Sequence, residues 1–166
     1  MKTSKNISFA IGLLFIFSFG IIKAQTTEIS ADQVPNEVKA VLNQYINILT
    51  NSNNLDVCAN EMLKIAAGGL LSQDCKSIAS DVKPYSLKKD FENVQFYKNP
   101  VVITRVQLIN DDYDGYGPTL ISGTVYKIWI AKKEGVNGMP APVKIIVPKN
   151  HPTYKTPKVI SNIGSL

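Results

Sequence analysis

The sequence predicts an α+β domain, with N-terminal helices packed on a curved antiparallel sheet. Three observations carry this. Apolar residues recur at helical spacing through residues 34–67 and switch to strand-like patterning from about residue 94 onward. The later strands are joined by modest loops with no helix between them, which a parallel βαβ arrangement would need. The stretch Thr119 to Lys132, TLISGTVYKIWIAK, is rich in β-branched and aromatic residues and reads as the longest, central strand.

The chain opens on a segment that reads as an address. Lys2 and Lys5 form a positive start, Ile7 to Ile22 is a nearly unbroken apolar run, and Ile22-Lys23-Ala24 ends in a small residue. That is a signal peptide over 1–24, cut ahead of Gln25. The run holds 16 residues, short of the roughly 20 that an uncleaved anchor helix needs to span a bilayer. Residues 25–166 then form a single domain, exported to the periplasm or secreted. Removing Lys2, Lys5 and Lys23 lowers the net charge from +5 to +2. No basic run remains that would suit a nucleic acid, and no second apolar span remains for a membrane.

Gln25 to Gln33 reads as a poorly ordered lead. A first helix starts near Pro35, with Val34, Val38, Val41, Leu42, Tyr45, Ile48 and Leu49 on one stripe. Asn51 to Asn54 ends it. A second helix is expected from Leu55 or Asp56 to Ala67, stopped by Gly68-Gly69. Residues 72–84 are ambiguous, and Ser86 is a candidate N-cap for one or two helical turns. Short strands are expected over Val94–Tyr97 and Val101–Ile109, then an acidic loop from Asn110 to Pro118. After the central strand come Val143–Val147 and Lys158–Ile163.

This order of elements resembles the NTF2-like (cystatin-like α+β roll) superfamily, as an exported bacterial-type member. PNEVKAVLNQYINIL stands for its first helix, GTVYKIWIAKK for a long central strand and KVISNIGSL for a terminal one. The resemblance implies a cone-like sheet with a pocket between its concave face and the helices. It implies either a dehydratase- or isomerase-like enzyme or a protein that only binds or dimerises. Catalytic members place His and Asp in the pocket, and this chain has one histidine, in a loop.

Several groups are chemical candidates. Cys58 and Cys75, the only cysteines, suit a single structural disulfide in an oxidising compartment, worth ~3 kcal/mol for a loop of that size. The rival is a reactive or metal-binding thiol pair, although the spacing matches no CxxC or zinc pattern. Asn110, Asp112 and Asp114, followed by Gly115, match the opening of a calcium loop, but Ile121 stands where its closing Glu belongs. An acidic hairpin connection explains the same residues. His151 lies between prolines 148 and 152 and reads as a solvated loop residue. Asp90 and Glu92 are close enough in sequence for paired acid–base work, and equally suit a solvated face. Gly68-Gly69 ends a helix where phosphate cradles begin one. Arg105, Tyr126 and Trp129 are the ligand-pocket candidates. Tyr126 and Trp129 differ by three positions on a strand, so only one can face the helices; alternation turns Arg105 outward.

The function expected is that of a non-catalytic binding module, taking a small ligand in the sheet–helix pocket or a protein partner on the exposed sheet, with no cofactor. The alternatives are a small hydrolase or lyase/isomerase working through carboxylates and His151, and a structural domain that forms a homodimer.

Overall fold

The computed structural model describes residues 26–138 and 141–161. The leader expected over 1–24 and the end of the last strand lie outside the described residues. The fold is α+β, as expected: five antiparallel strands in sequential order with helices on one face. They are β1 (Thr26–Ile29), β2 (Ile103–Asp114), β3 (Ile121–Ile130), β4 (Val143–Pro148) and β5 (Lys158–Ser161). The helices are α1 (Asn36–Asn51), α2 (Leu55–Met62) and α3 (Lys88–Asn93). Among them, no helix is long and apolar enough to cross a membrane.

Helix α1 buries Val38, Leu42, Tyr45, Ile46 and Leu49, which recur every three or four residues and so share one stripe. The Pro35 carbonyl accepts from the Val38 and Lys39 N–H groups and opens the helix. Asn54 caps α2 by accepting from the Val57 N–H at 2.9 Å. Leu42, Tyr45, Met62 and Leu87 from the helical layer and Ile128, Ile130 and Ile145 from the strands are fully buried in one core. A smaller core forms on the other face, where Ile121, Val125, Ile146 and Ile160 gather with Ala67. Strand β3 therefore buries side chains on both faces and is central in order, although β2 is longer.

Five local expectations are corrected. The lead is not loose: Thr26–Ile29 pairs with β2 as an edge strand. Helix α2 stops at Met62 and not at Ala67. Ile65 to Ala67 instead runs beside β5, with the Val159 N–H donating to Ile65 O and the Ala67 N–H to Val159 O. An edge strand left bare would hold unpaired amides, and this pairing outweighs helix propensity. Ser86 is no N-cap. It lies inside a wide turn, Lys83–Leu87, that runs into α3, and its Oγ donates to Val82 O. Val94–Phe96 is a 3-10 turn, because Val94 and Tyr97, three apart, both point into the core. Finally, the acidic loop is mostly strand. Asp112 and Asp114 pair with Gly123 and Ile121, and a bulge between Ile109 and Asp112 absorbs the one extra residue.

Candidate functional site

Between sheet and helices, where the resemblance places a pocket, the core side chains named above pack against one another. Tyr126 points into it and packs half-buried against that core. Burial, and secondarily the Glu37 charge, raises its phenol above the usual range. Tyr126 is thus a packing residue, and the one of the pair that faces the helices.

Trp129 stands on the opposite face with Arg105, its direct partner across β2 and β3. The Arg105 guanidinium carbon lies 4.9 Å from the Trp129 ring centre, and Lys127 Nζ lies 5.4 Å from it. Both distances are within cation–π range. The Arg105 Nε donates to Glu28 Oε1 at 2.9 Å, so β1 also takes part. Lys127 sits two residues before Trp129 on the same face, which is the signal that would have found it. In register it faces Gln107 on one side and Lys144 on the other. Two like charges directly opposite across antiparallel strands repel. Among the described residues neither lysine has a carboxylate partner. The row from β1 to β5 reads Glu28, Gln107, Lys127, Lys144, Ser161. An aromatic ring with two cations over it, and a third opposite one of them, is suited to hold an anion against an apolar surface.

The other candidates are drawn into structural work. Asp112 Oδ1 accepts from the Tyr113 N–H and Asp114 Oδ1 from the Gly69 N–H at 2.6 Å, while Asp111 pairs with Lys149 and Asn110 is exposed. No group of three His, Cys, Asp or Glu among the described residues is placed to hold a metal ion. Gly68 lies against the Asp114 carboxylate; it follows an extended Ala67 and does not stop a helix. The His151 Nδ1 accepts from the Thr153 and Tyr154 N–H groups, and its ring stacks on Tyr154. It shapes the turn between β4 and β5.

The two cysteines are not bonded to each other. Cys58 is buried on α2, near Ser52 and Asp90, and burial pushes its thiol up to about 11. Cys75 is partly exposed in the following loop, with its Sγ beside Pro118 O. The expected bridge is thus corrected: Cys58 is enclosed in the core on α2, while the Cys75 thiol is turned to the Pro118 carbonyl of the β2–β3 connection.

Asp90 and Glu92 also part company. Glu92 is exposed and pairs with Lys88, whereas Asp90 is fully buried and accepts from the Tyr45 Oη. The Tyr97 Oη is buried nearby with no hydrogen-bond partner among the described residues. Burial, then the Asp90 charge, pushes its phenol up to about 12. Sequence reading missed this cluster, because 45 residues separate Tyr45 from Asp90.

Comparison with family models, with curated proteins and with solved structures finds no match to this chain.

Proposed function

We propose that this chain is an exported, non-catalytic binding module with an NTF2-like roll, and that it takes an acidic protein partner on the helix-free face of its sheet. One observation carries the reading: Trp129 lies between Arg105 and Lys127, with Lys144 placed opposite Lys127 and no carboxylate on either lysine. Such a row costs folding stability while empty, and an acidic surface laid over it turns repulsion into attraction. The tryptophan supplies apolar area at the centre, as binding anchors do.

Trp129 is the single tryptophan of the sequence, so its emission reports on the face directly. Poly-L-glutamate, titrated at low ionic strength, is expected to shift and quench that emission in a saturable way. The effect should weaken with added salt and vanish in a Lys127→Glu/Lys144→Glu double variant. Emission that stays constant throughout the titration, or that changes equally in the double variant, refutes the reading. Lys144→Gln alone should leave the fold unharmed or stabilise it by a few tenths of a kcal/mol, roughly the size of a cross-strand like-charge term. A clear loss of stability would assign the lysine a packing role.

A further inference from the structure

A recess lies at the other end of the sheet from Trp129, where the loop after α2 meets the β2–β3 hairpin. It measures about 300 Å³, and Gln73, Ser77, Ile78, Ser80, Asp81 and Tyr116 are among the residues that line it. Two walls form it, and each is held from within. In the first, the Leu71–Ile78 bridge closes a small loop. The Ser72 Oγ donates to Asp74 Oδ1 at 2.7 Å and accepts from the Ser77 N–H at 3.1 Å. In the second, Tyr116 is fixed through its backbone. Its N–H donates to the buried Thr119 Oγ1, which donates back to Tyr116 O. Gly115 has a φ of +75°, and a Cβ there would lie 2.6 Å from Thr119 O, so the turn admits only glycine. Asp114 ties the walls together through the Gly69 N–H.

The result is an aromatic ring on a rigid turn, 69% exposed, beside polar groups with nothing to do inside the protein. Among the described residues, the side chains of Gln73, Ser80 and Asp81 have no internal hydrogen bond. They supply an amide, a hydroxyl and a carboxylate, which together donate and accept. The ring supplies a flat apolar face. A ligand that matches both has an apolar C–H face and a rim of hydroxyl groups, which describes a pyranose. The size suits one sugar ring, in the lower range of small-molecule sites. We propose that this recess is a monosaccharide-sized site for a neutral polyhydroxylated ligand, with Tyr116 as the stacking face and Asp81 and Gln73 as the hydroxyl-reading groups. It uses no residue of the Trp129 face and stands or falls independently of it.

The test is saturation-transfer NMR on the full exported chain with D-glucose, D-galactose, D-mannose and N-acetyl-D-glucosamine. At least one should give a saturable signal in the millimolar range. Tyr116→Ala and Asp81→Asn should each weaken it tenfold or more. Tyr116→Phe should retain it, because the ring and not its hydroxyl makes the stack. Tyr85→Ala, an exposed tyrosine on the wide turn before α3, is the control that should change nothing. All three altered side chains are exposed, so thermal unfolding should be unchanged in these variants. Absence of a saturable signal from all four sugars overturns the proposal. So does a signal that survives Tyr116→Ala and Asp81→Asn.

Discussion

Among single residues, Asp90 matters most to the interior, because a carboxylate at 0% exposure must be satisfied where it stands. Tyr45, also fully buried, donates to it. Tyr97 brings a second buried hydroxyl to the same region, and that one has no partner among the described residues. The two tyrosines therefore predict opposite outcomes. Tyr45→Phe removes a donor to a buried acid and should cost about 2 kcal/mol in denaturant unfolding. Tyr97→Phe removes an unsatisfied hydroxyl and should be neutral or slightly stabilising. Equal costs would refute this assignment. The same burial has a pH signature. Cys58 holds its proton up to about 11, against an ordinary 9.0. The folded state binds that proton more tightly than the unfolded state does. Its contribution is thus complete below pH 9 and is lost as pH rises toward 11. Stability measured from pH 8 to 11 should fall by on the order of 2 kcal/mol from this group. Cys58→Ala, compared with its own value at pH 8, should fall less. Tyr97 adds a similar loss between pH 10 and about 12.

At the scale of elements, the sequence was legible wherever one face of an element meets one core. The stripe on α1 is of that kind, and the α+β class follows from it together with the run of strands that no helix interrupts. What was not legible depended on partners distant in sequence. Residues 65–67 have a helical pattern, yet they line β5 because that edge needs hydrogen bonds. Val94 to Tyr97 has strand-like residue types, yet its buried positions are three apart. The acidic stretch at 110–114 has loop composition, yet a bulge carries it on as strand, with Asp111 at a φ of +51°. Gly123 shows how closely β3 and β4 approach. A Cβ there would lie 2.0 Å from Val147 O, a backbone atom that cannot swing aside. Gly123→Ala should accordingly destabilise by about 3 kcal/mol or more, in the range of severe overpacking. Gly135, with nothing within 4 Å, is the comparison. Gly135→Ala should cost only the strain of its positive φ, about 1 kcal/mol. A Gly123→Ala variant with an unchanged melting curve would mean that the two strands can move apart freely.

At the scale of the whole molecule, the candidate site was half legible. Sequence alternation placed Trp129 and Tyr126 on opposite faces, and separated Arg105 from the core. It could not pair Lys127 with Lys144, because register is a property of two strands at once. The same whole-molecule view bears on the leader. Among the described residues, the buried members of both cores lie between Val34 and Ile160. The first described strand begins at Thr26, two residues past Ala24. The expected leader carries an apolar run of 16 residues, from Ile7 to Ile22. A chain bearing it in water would tend to associate. The protein recovered from the exported fraction of an expressing cell should therefore begin at Gln25 by N-terminal sequencing. Its intact mass should equal that of residues 25–166, and its net charge should be +2 where the full sequence has +5. It should remain in the soluble fraction after high-salt washing, since the three lysines of the leader have gone with it. Recovery of a chain that begins at Met1 and sediments with membranes would refute export by cleavage, and would make the apolar run an anchor that holds the Trp129 face near a bilayer.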